Sequence, residues 1–182
     1  IYNKGKDNLN LPQNYKIIKL PNIGREAHTY LYHIVTNYNQ LAERTLFLQG
    51  DPFTLKMFVF EPLNQYKKIS KTNCINIIAA ACFKTSAKKE NKQLKDFSWT
   101  KWSNTIFKKY NFIQFKKEFI DLDRTANDYF FRVAEANFAI DRDKILSRNI
   151  NYYQKILNSL DNIAPVEGHY MERLWDETFR KE

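Results

Sequence analysis

The sequence predicts an α/β fold: one domain over residues 1–182, with a mixed or mostly parallel central sheet flanked by helices. Three observations carry that expectation. A short apolar segment, Lys16 to Leu20, passes through a glycine turn into a stretch with helical spacing, and a second apolar segment, Thr45 to Leu48, follows it and ends at Gly50-Asp51-Pro52. That order of strand, helix and strand is the βαβ unit from which parallel sheets are built. The hydrophobic content of 43%, with 15% aromatic, is enough to fill a core and excludes a disordered class. Glycine occurs only four times, each time among polar residues, at Gly5, Gly24, Gly50 and Gly168. Glycine permits positive φ and close backbone approach, so so sparse a use marks where backbone geometry is special.

The elements follow in order. Lys16 to Leu20 reads as a strand ended by Pro21. From Arg25 to Tyr38 the apolar positions Ala27, Tyr30, Leu31, Ile34, Val35 and Tyr38 form one stripe at helical spacing. Thr45 to Leu48 is a buried strand ending at a polar turn. Residues 55–66 fit no single pattern, Ile75 to Phe83 reads as a buried helix, and Ser98 to Phe119 as an aromatic-rich helical stretch. Phe130 to Ile140 has strand character, Asp141 to Leu146 that of a helical turn, and Asn151 to Leu160 that of a helix. The last helix begins near Gly168 and buries Met171, Leu174, Trp175 and Phe179, leaving His169, Glu172, Arg173 and Asp176 off that stripe.

Composition narrows the function classes. No apolar run approaches a membrane span and no signal-peptide pattern opens the chain. Cys74 and Cys82 fall within one segment without a Cys-x-x-Cys pairing, and free thiols fit a reducing, cytoplasmic compartment, with peripheral membrane association left open. The net charge of +9 suits an anionic partner, yet its lysines are scattered through Lys84 to Lys95 and Lys108 to Lys117 without arginine density. Nucleic acid is therefore the less favoured partner, although Trp99, Trp102 and Phe107 would supply stacking surfaces.

Two polar clusters carry chemistry. Gly24-Arg25-Glu26-Ala27-His28-Thr29 opens the strongest helix, so its unpaired N–H groups and positive dipole end can hold a phosphate or carboxylate, with Arg25 adding a fork of donors. The same residues also read as a first-turn glutamate complementing the dipole and a histidine bordering the core. Glu167-Gly168-His169-Tyr170-Met171-Glu172-Arg173 sets His169 and Arg173 one turn apart with Glu167 on the lead-in, a set able to supply a metal ligand, a general base and a phosphate clamp. It equally reads as an ion-paired surface of an amphipathic helix. Asp51, at a strand end beside Gly50, is placed to hold a divalent cation or to close a turn with its own backbone. Asp121-Leu122-Asp123 is a shorter and less specific two-carboxylate string. Phosphate-loop, dinucleotide-binding, Gly-x-Ser-x-Gly and zinc patterns are absent, which removes support for hydride transfer and esterase chemistry.

Taken together, Tyr2-Asn3-Lys4-Gly5, Leu20-Pro21-Asn22-Ile23-Gly24-Arg25-Glu26-Ala27-His28-Thr29-Tyr30-Leu31, Phe47-Leu48-Gln49-Gly50-Asp51-Pro52 and Glu172-Arg173-Leu174-Trp175 resemble a protein family catalogued as a domain of unknown function. Asn137-Phe138-Ala139-Ile140-Asp141-Arg142 resembles a further block of that family, and the likeness covers nearly the whole chain. More loosely, that block and the closing Glu-Arg-Leu-Trp helix are similar to segments of GT-A-type glycosyltransferases, which implies a GT-A-like (Rossmann-like) sheet. Members of the resembled family carry a strand and a helix ahead of the Tyr-Asn-Lys-Gly segment, so either this sequence begins within the domain or this protein lacks the contacts of that first strand. The implied activity is transfer of a sugar from a nucleotide-sugar donor to a glycan or other hydroxyl acceptor. Gly24, Arg25, Glu26 and His28 would face the donor, joined by Gln49, Gly50, Asn137 and Arg173. Asp51 and His169 would hold Mg²⁺ or Mn²⁺, and Glu167 or Glu172 would deprotonate the acceptor. A nuclease-like or other nucleic-acid-binding protein and a non-catalytic interaction module on the same fold are the alternatives.

Overall fold

A computed structural model describes residues 1–6, 15–49, 110–120, 136, 138–163 and 165–179, together with the backbone of 75–76. Within them the fold is mixed α/β. The strands are β1 (Tyr2–Asn3), β2 (Ile18–Lys19), β3 (Arg44–Phe47), β4 (Ile75–Asn76) and β5 (Phe138–Asp141). The helices are α1 (Arg25–Thr36), α2 (Phe112–Phe115), α3 (Arg142–Leu146), α4 (Ile150–Asn158) and α5 (Val166–Phe179). A 3₁₀ turn over Tyr38–Gln40 follows α1, and a π-helical turn over Lys116–Ile120 extends α2.

Local chemistry explains the helix boundaries. Asn149 caps α4 by accepting from the Tyr152 amide at 3.0 Å. Asn111 and Gln114 exchange side-chain and backbone bonds as a capping box that starts α2. Of the expected α1 stripe, Ala27, Leu31 and Ile34 are fully buried and Tyr30 nearly so, whereas Val35 is only partly buried and the helix ends at Thr36, leaving Tyr38 in the 3₁₀ turn. On α5 the expected stripe of Met171, Leu174, Trp175 and Phe179 is buried, but Asp176 is buried too, at 4% exposure. The last turn of α5 is enclosed on every side, so its polar residues do not mark a solvent face.

The sheets depart from the parallel arrangement the sequence suggests. β1 and β2 pair in parallel, Tyr2 opposite Ile18. β3, β5 and β4 form a separate three-stranded sheet in that order, with both pairings antiparallel. The two strands that flank α1 thus belong to different sheets, and among the described residues they form no parallel βαβ pair. An apolar run and a turn signal reveal that a strand exists; its partner is a non-local matter. Here β3 pairs with β5 through the facing rings of Phe47 and Phe138 and an Arg44–Asp141 ion pair at the opposite end. Ile75 and Asn76, expected to begin a helix, are instead a strand opposite Ala139 and Phe138. Short apolar runs do not separate a buried strand from a buried helix. The rest of that segment, including Cys82, lies outside the described residues, as do Cys74, residues 55–66, Trp99, Trp102, Phe107, Asp121 and Asp123.

One aromatic cluster ties sheet to helices. Trp175 of α5 stands 5.6 Å from the Tyr30 ring of α1 and 5.2 Å from Phe138 of β5, while Tyr30 packs on Phe47 of β3 at 4.7 Å. The Tyr30 hydroxyl donates to the Ala136 carbonyl at 2.8 Å, so the phenol is buried without leaving its polar end unsatisfied. This packing holds the middle of α1 against the second half of α5 and against β5.

Trp175→Ala is expected to cost about 3–5 kcal/mol in chemical denaturation, as for other fully buried large aromatics. The indole Nε1 is buried with no hydrogen-bond partner. Trp175→Phe therefore loses volume alone and is expected to cost less than half as much.

Candidate functional site

The entry into α1 is a left-handed turn. Gly24 has φ 63°, and Arg25 continues in the same region with φ 53°, the single positive-φ residue other than glycine among the described residues. The Gly24 amide donates to the Asn162 carbonyl at 2.8 Å, and its carbonyl accepts from the His28 amide at 3.0 Å. Glycine is required twice over, because a Cβ here would lie 2.5 Å from the His28 Cβ and 2.9 Å from Leu160. Lys4, just after β1, reaches across and donates to the carbonyls of Ile23 and Arg25 at 2.5 Å each.

Arg25 then crosses to α5. Gly168 sits in the first turns of that helix, where a Cβ would be 3.0 Å from the Arg25 Cδ, so the bare backbone lets the arginine stem lie against it. Beyond it, Arg25 Nη1 is 3.3 Å from His169 Nε2 and Nη2 is 3.5 Å from Glu172 Oε1. Glu172 is also paired to Arg173 Nη1 at 3.0 Å and lies 3.6 Å from His169 Nδ1. Two of the glycine-centred clusters singled out in the sequence are thus one place in the fold. The helix spacing puts His169, Glu172 and Arg173 on one face, and the left-handed turn delivers Arg25 to it.

Burial and charge separate the two carboxyls of this cluster. Burial pushes the Glu172 carboxyl up, but His169, Arg173 and Arg25 outweigh it and hold the group below the usual range. Burial pushes Glu26 up, the neighbouring Glu172 adds to that, and its own backbone N–H, Arg25 and His169 only partly oppose it. Glu26 Oε1 is buried without a hydrogen-bond partner, and Oε2 lies 3.7 Å from Arg25 Nε. The Lys4 ammonium is pushed down to about 8 by burial, against the pull of Glu26. Burial, assisted by Lys4, pushes His28 down to about 4.

The remaining predicted site residues fall elsewhere. Glu167 lies in the first turn of α5, only 4% exposed, with Oε1 lacking a hydrogen-bond partner. His28 borders the core on the inner side of α1, and Gln49 is half-buried just past the end of β3. Gly50, Asp51 and Asn137 lie outside the described residues. His169 is poorly placed for the metal role the sequence suggests, because one ring nitrogen faces a guanidinium and the other a carboxylate. A cation 3.3 Å away repels a second one. Among the described residues, no group of three or more His, Cys, Asp and Glu could hold a metal ion. The donors present fit an anionic or hydroxyl-bearing ligand instead. Also among the described residues, no helix is long and apolar enough to cross a membrane.

Lys4 is the residue that sequence reasoning missed. Its proximity to Gly5 marked the segment, but a lysine that bonds to main-chain carbonyls of another element has no local pattern to betray it. Tyr2 is similar, since its hydroxyl meets His33 Nδ1 of α1 at 2.8 Å and fastens β1 to the helix.

The model of a family described as Protein of unknown function (DUF3431) matches residues 5–182, a span that includes both halves of the Arg25 cluster. The chain belongs to the DUF3431 family. No curated protein and no solved structure matches it. The expected membership of a family of unknown function is thereby shown, and the family description assigns no activity.

Three outcomes test this geometry. Gly24→Ala is expected to destabilise on the order of 3 kcal/mol, from overlap with His28 and Leu160 plus left-handed strain. Gly5→Ala, whose added Cβ would meet nothing closer than Asn3 Oδ1 at 3.6 Å, should leave the denaturation midpoint nearly unchanged. For His28, the folded-state pKa of about 4 lies below the ordinary 6.5. Its contribution to stability is fully present above pH 6.5 and is lost as pH falls through 4, by up to about 3 kcal/mol. His28→Leu should flatten the stability profile across that window, measured by denaturant titration at each pH.

Proposed function

We propose that this protein is a transferase of GT-A-like architecture that binds a nucleotide-sugar donor at the Arg25 cluster and passes the sugar to a hydroxyl acceptor. The observation that supports the reading is the meeting of the Gly24-Arg25 turn with Gly168, His169, Glu172 and Arg173. Two guanidiniums and an imidazole share a single pinned carboxylate, beside the N-terminal end of α1. Such a set offers forked donors to a diphosphate, and the helix dipole favours the same sign of charge.

The two carboxyls divide the chemistry. An acceptor hydroxyl needs a base that readily takes a proton, and efficiency rises as the base's pKa approaches the working pH. Glu172, held ionised by its cationic neighbours, is weak in that role and suits an orienting one. Glu26, whose proton affinity is raised and whose Oε1 has no partner, is the better proton acceptor. Pairs of titratable groups driven apart in this way are how acid and base roles are assigned within one site. Glu167, buried on the first turn of α5, remains the alternative base. The metal arm of the reading falls on Asp51 alone, since the surroundings of His169 do not fit a cation, and no step here is routed through a metal.

The test is thermal unfolding with UDP-, GDP- and TDP-sugars, each with and without Mn²⁺. At about 100 times its Kd a specific donor stabilises by ~2.7 kcal/mol, which for a chain of this size raises Tm by about 5–10 °C. Arg25→Ala should weaken that donor at least tenfold. A Tm unmoved by every nucleotide sugar, with and without the metal, would refute the reading.

A further inference from the structure

We infer that Lys4 is a positioning residue: by bridging the carbonyls on either side of Gly24, its side chain holds Arg25 in the left-handed backbone conformation that delivers the guanidinium to His169 and Glu172. Arg25 matters functionally only if the reading above is right, but the bridge itself depends on no ligand.

The backbone of Arg25 is left-handed. A side chain at φ 53° places its Cβ against the following carbonyl, a strain that a neighbouring contact must offset. With two left-handed residues in succession, the Ile23 and Arg25 carbonyl oxygens converge until both are 2.5 Å from one nitrogen. Two such oxygens turned toward one point repel each other unless a donor stands between them. Lys4 supplies that donor, and as an ammonium it makes both bonds charge-assisted.

The other restraints on the turn act on different atoms. Asn162 accepts from the Gly24 amide, and Gly168 leaves space for the Arg25 stem. Lys4 is the group that bonds the Arg25 carbonyl from across the fold. The position is costly for a lysine, because half-burial disfavours its charge and Glu26 compensates only in part. The side chain therefore sits where the backbone needs it and not where its own solvation is best. Because two of its three N–H groups are engaged by carbonyls, its role is exerted through Arg25 and not primarily through direct contact with a ligand.

A double-mutant cycle read by thermal unfolding at pH 7, without nucleotide, tests this. Lys4→Met is expected to lower Tm by about 3–6 °C in the parent. In an Arg25→Gly background, where glycine adopts the same φ without strain, the loss should be less than half as large. Lys4→Arg, which keeps two N–H donors, should recover most of the parent Tm. A purely structural lysine would not move the second readout, the ring ¹H–¹⁵N signals of His169: Lys4→Met should shift them in the direction that Arg25→Ala does. Should Lys4→Met fail to fold, the Lys4→Met/Arg25→Gly pair is expected to restore folded protein. Equal losses in both backgrounds, His169 signals unmoved by Lys4→Met, or an unfolded pair would each overturn the inference. Because no donor is present, these outcomes are independent of whether nucleotide sugars bind.

Discussion

The site depends on one backbone constraint, a left-handed turn at Gly24 and Arg25 clamped from three directions. The Lys4 amine holds its carbonyls, the Asn162 carbonyl holds its amide, and the absent Cβ of Gly168 leaves the space into which the arginine stem lies. Each clamp comes from a different part of the chain: the segment after β1, the loop after α4, and the first turn of α5. Without that turn α1 could still bury its stripe, but Arg25 would leave along the ordinary helical direction and not reach His169 and Glu172. The backdrop is the aromatic cluster of Tyr30, Phe138 and Trp175, which packs α1 against α5 and β5.

Once assembled, the cluster has both guanidiniums engaged by the same carboxylate. Arg25 and Arg173 share Glu172, so the guanidiniums are already ion-paired and desolvated in part. An anionic ligand would therefore compete with or join an existing carboxylate, and would be recognised by the geometry of the donor forks more than by net positive charge. The same arrangement depresses the proton affinity of Glu172 and raises that of Glu26, from residues only a helix turn or an interhelical contact apart.

Much of the framework was legible in the sequence. The apolar stripes of α1 and α5 follow helical spacing closely enough that most of their buried residues could be named, and of the four glycines the sequence singled out, Gly24 combines positive φ with no room for a Cβ while Gly168 lies against the Arg25 stem. What escaped was non-local. Thr45 to Leu48 shows itself as a strand, but nothing in its own residues says that it pairs antiparallel with Phe138–Asp141. Ile75 looks like the start of a helix because an apolar run reads alike in both states. Asp176 carries charge yet is enclosed by the packing of the last turn. Lys4 was invisible for the opposite reason: its partners are main-chain carbonyls, which every sequence has. The Glu167–Arg173 segment reads from spacing alone either as an ion-paired face or as a ligand site; the ion pairs are present, and what spacing could not show is the arrival of Arg25 from another helix.

The central claim is that the starts of α1 and α5 form a single ligand site. Hydrogen–deuterium exchange of the whole chain with and without a saturating UDP-sugar measures this directly. The account requires slowed exchange at both Gly24–His28 and Gly168–Arg173, appearing together at the same ligand concentration. Protection of one segment without the other, or protection confined to distant parts of the chain while the nucleotide sugar is bound, would contradict it.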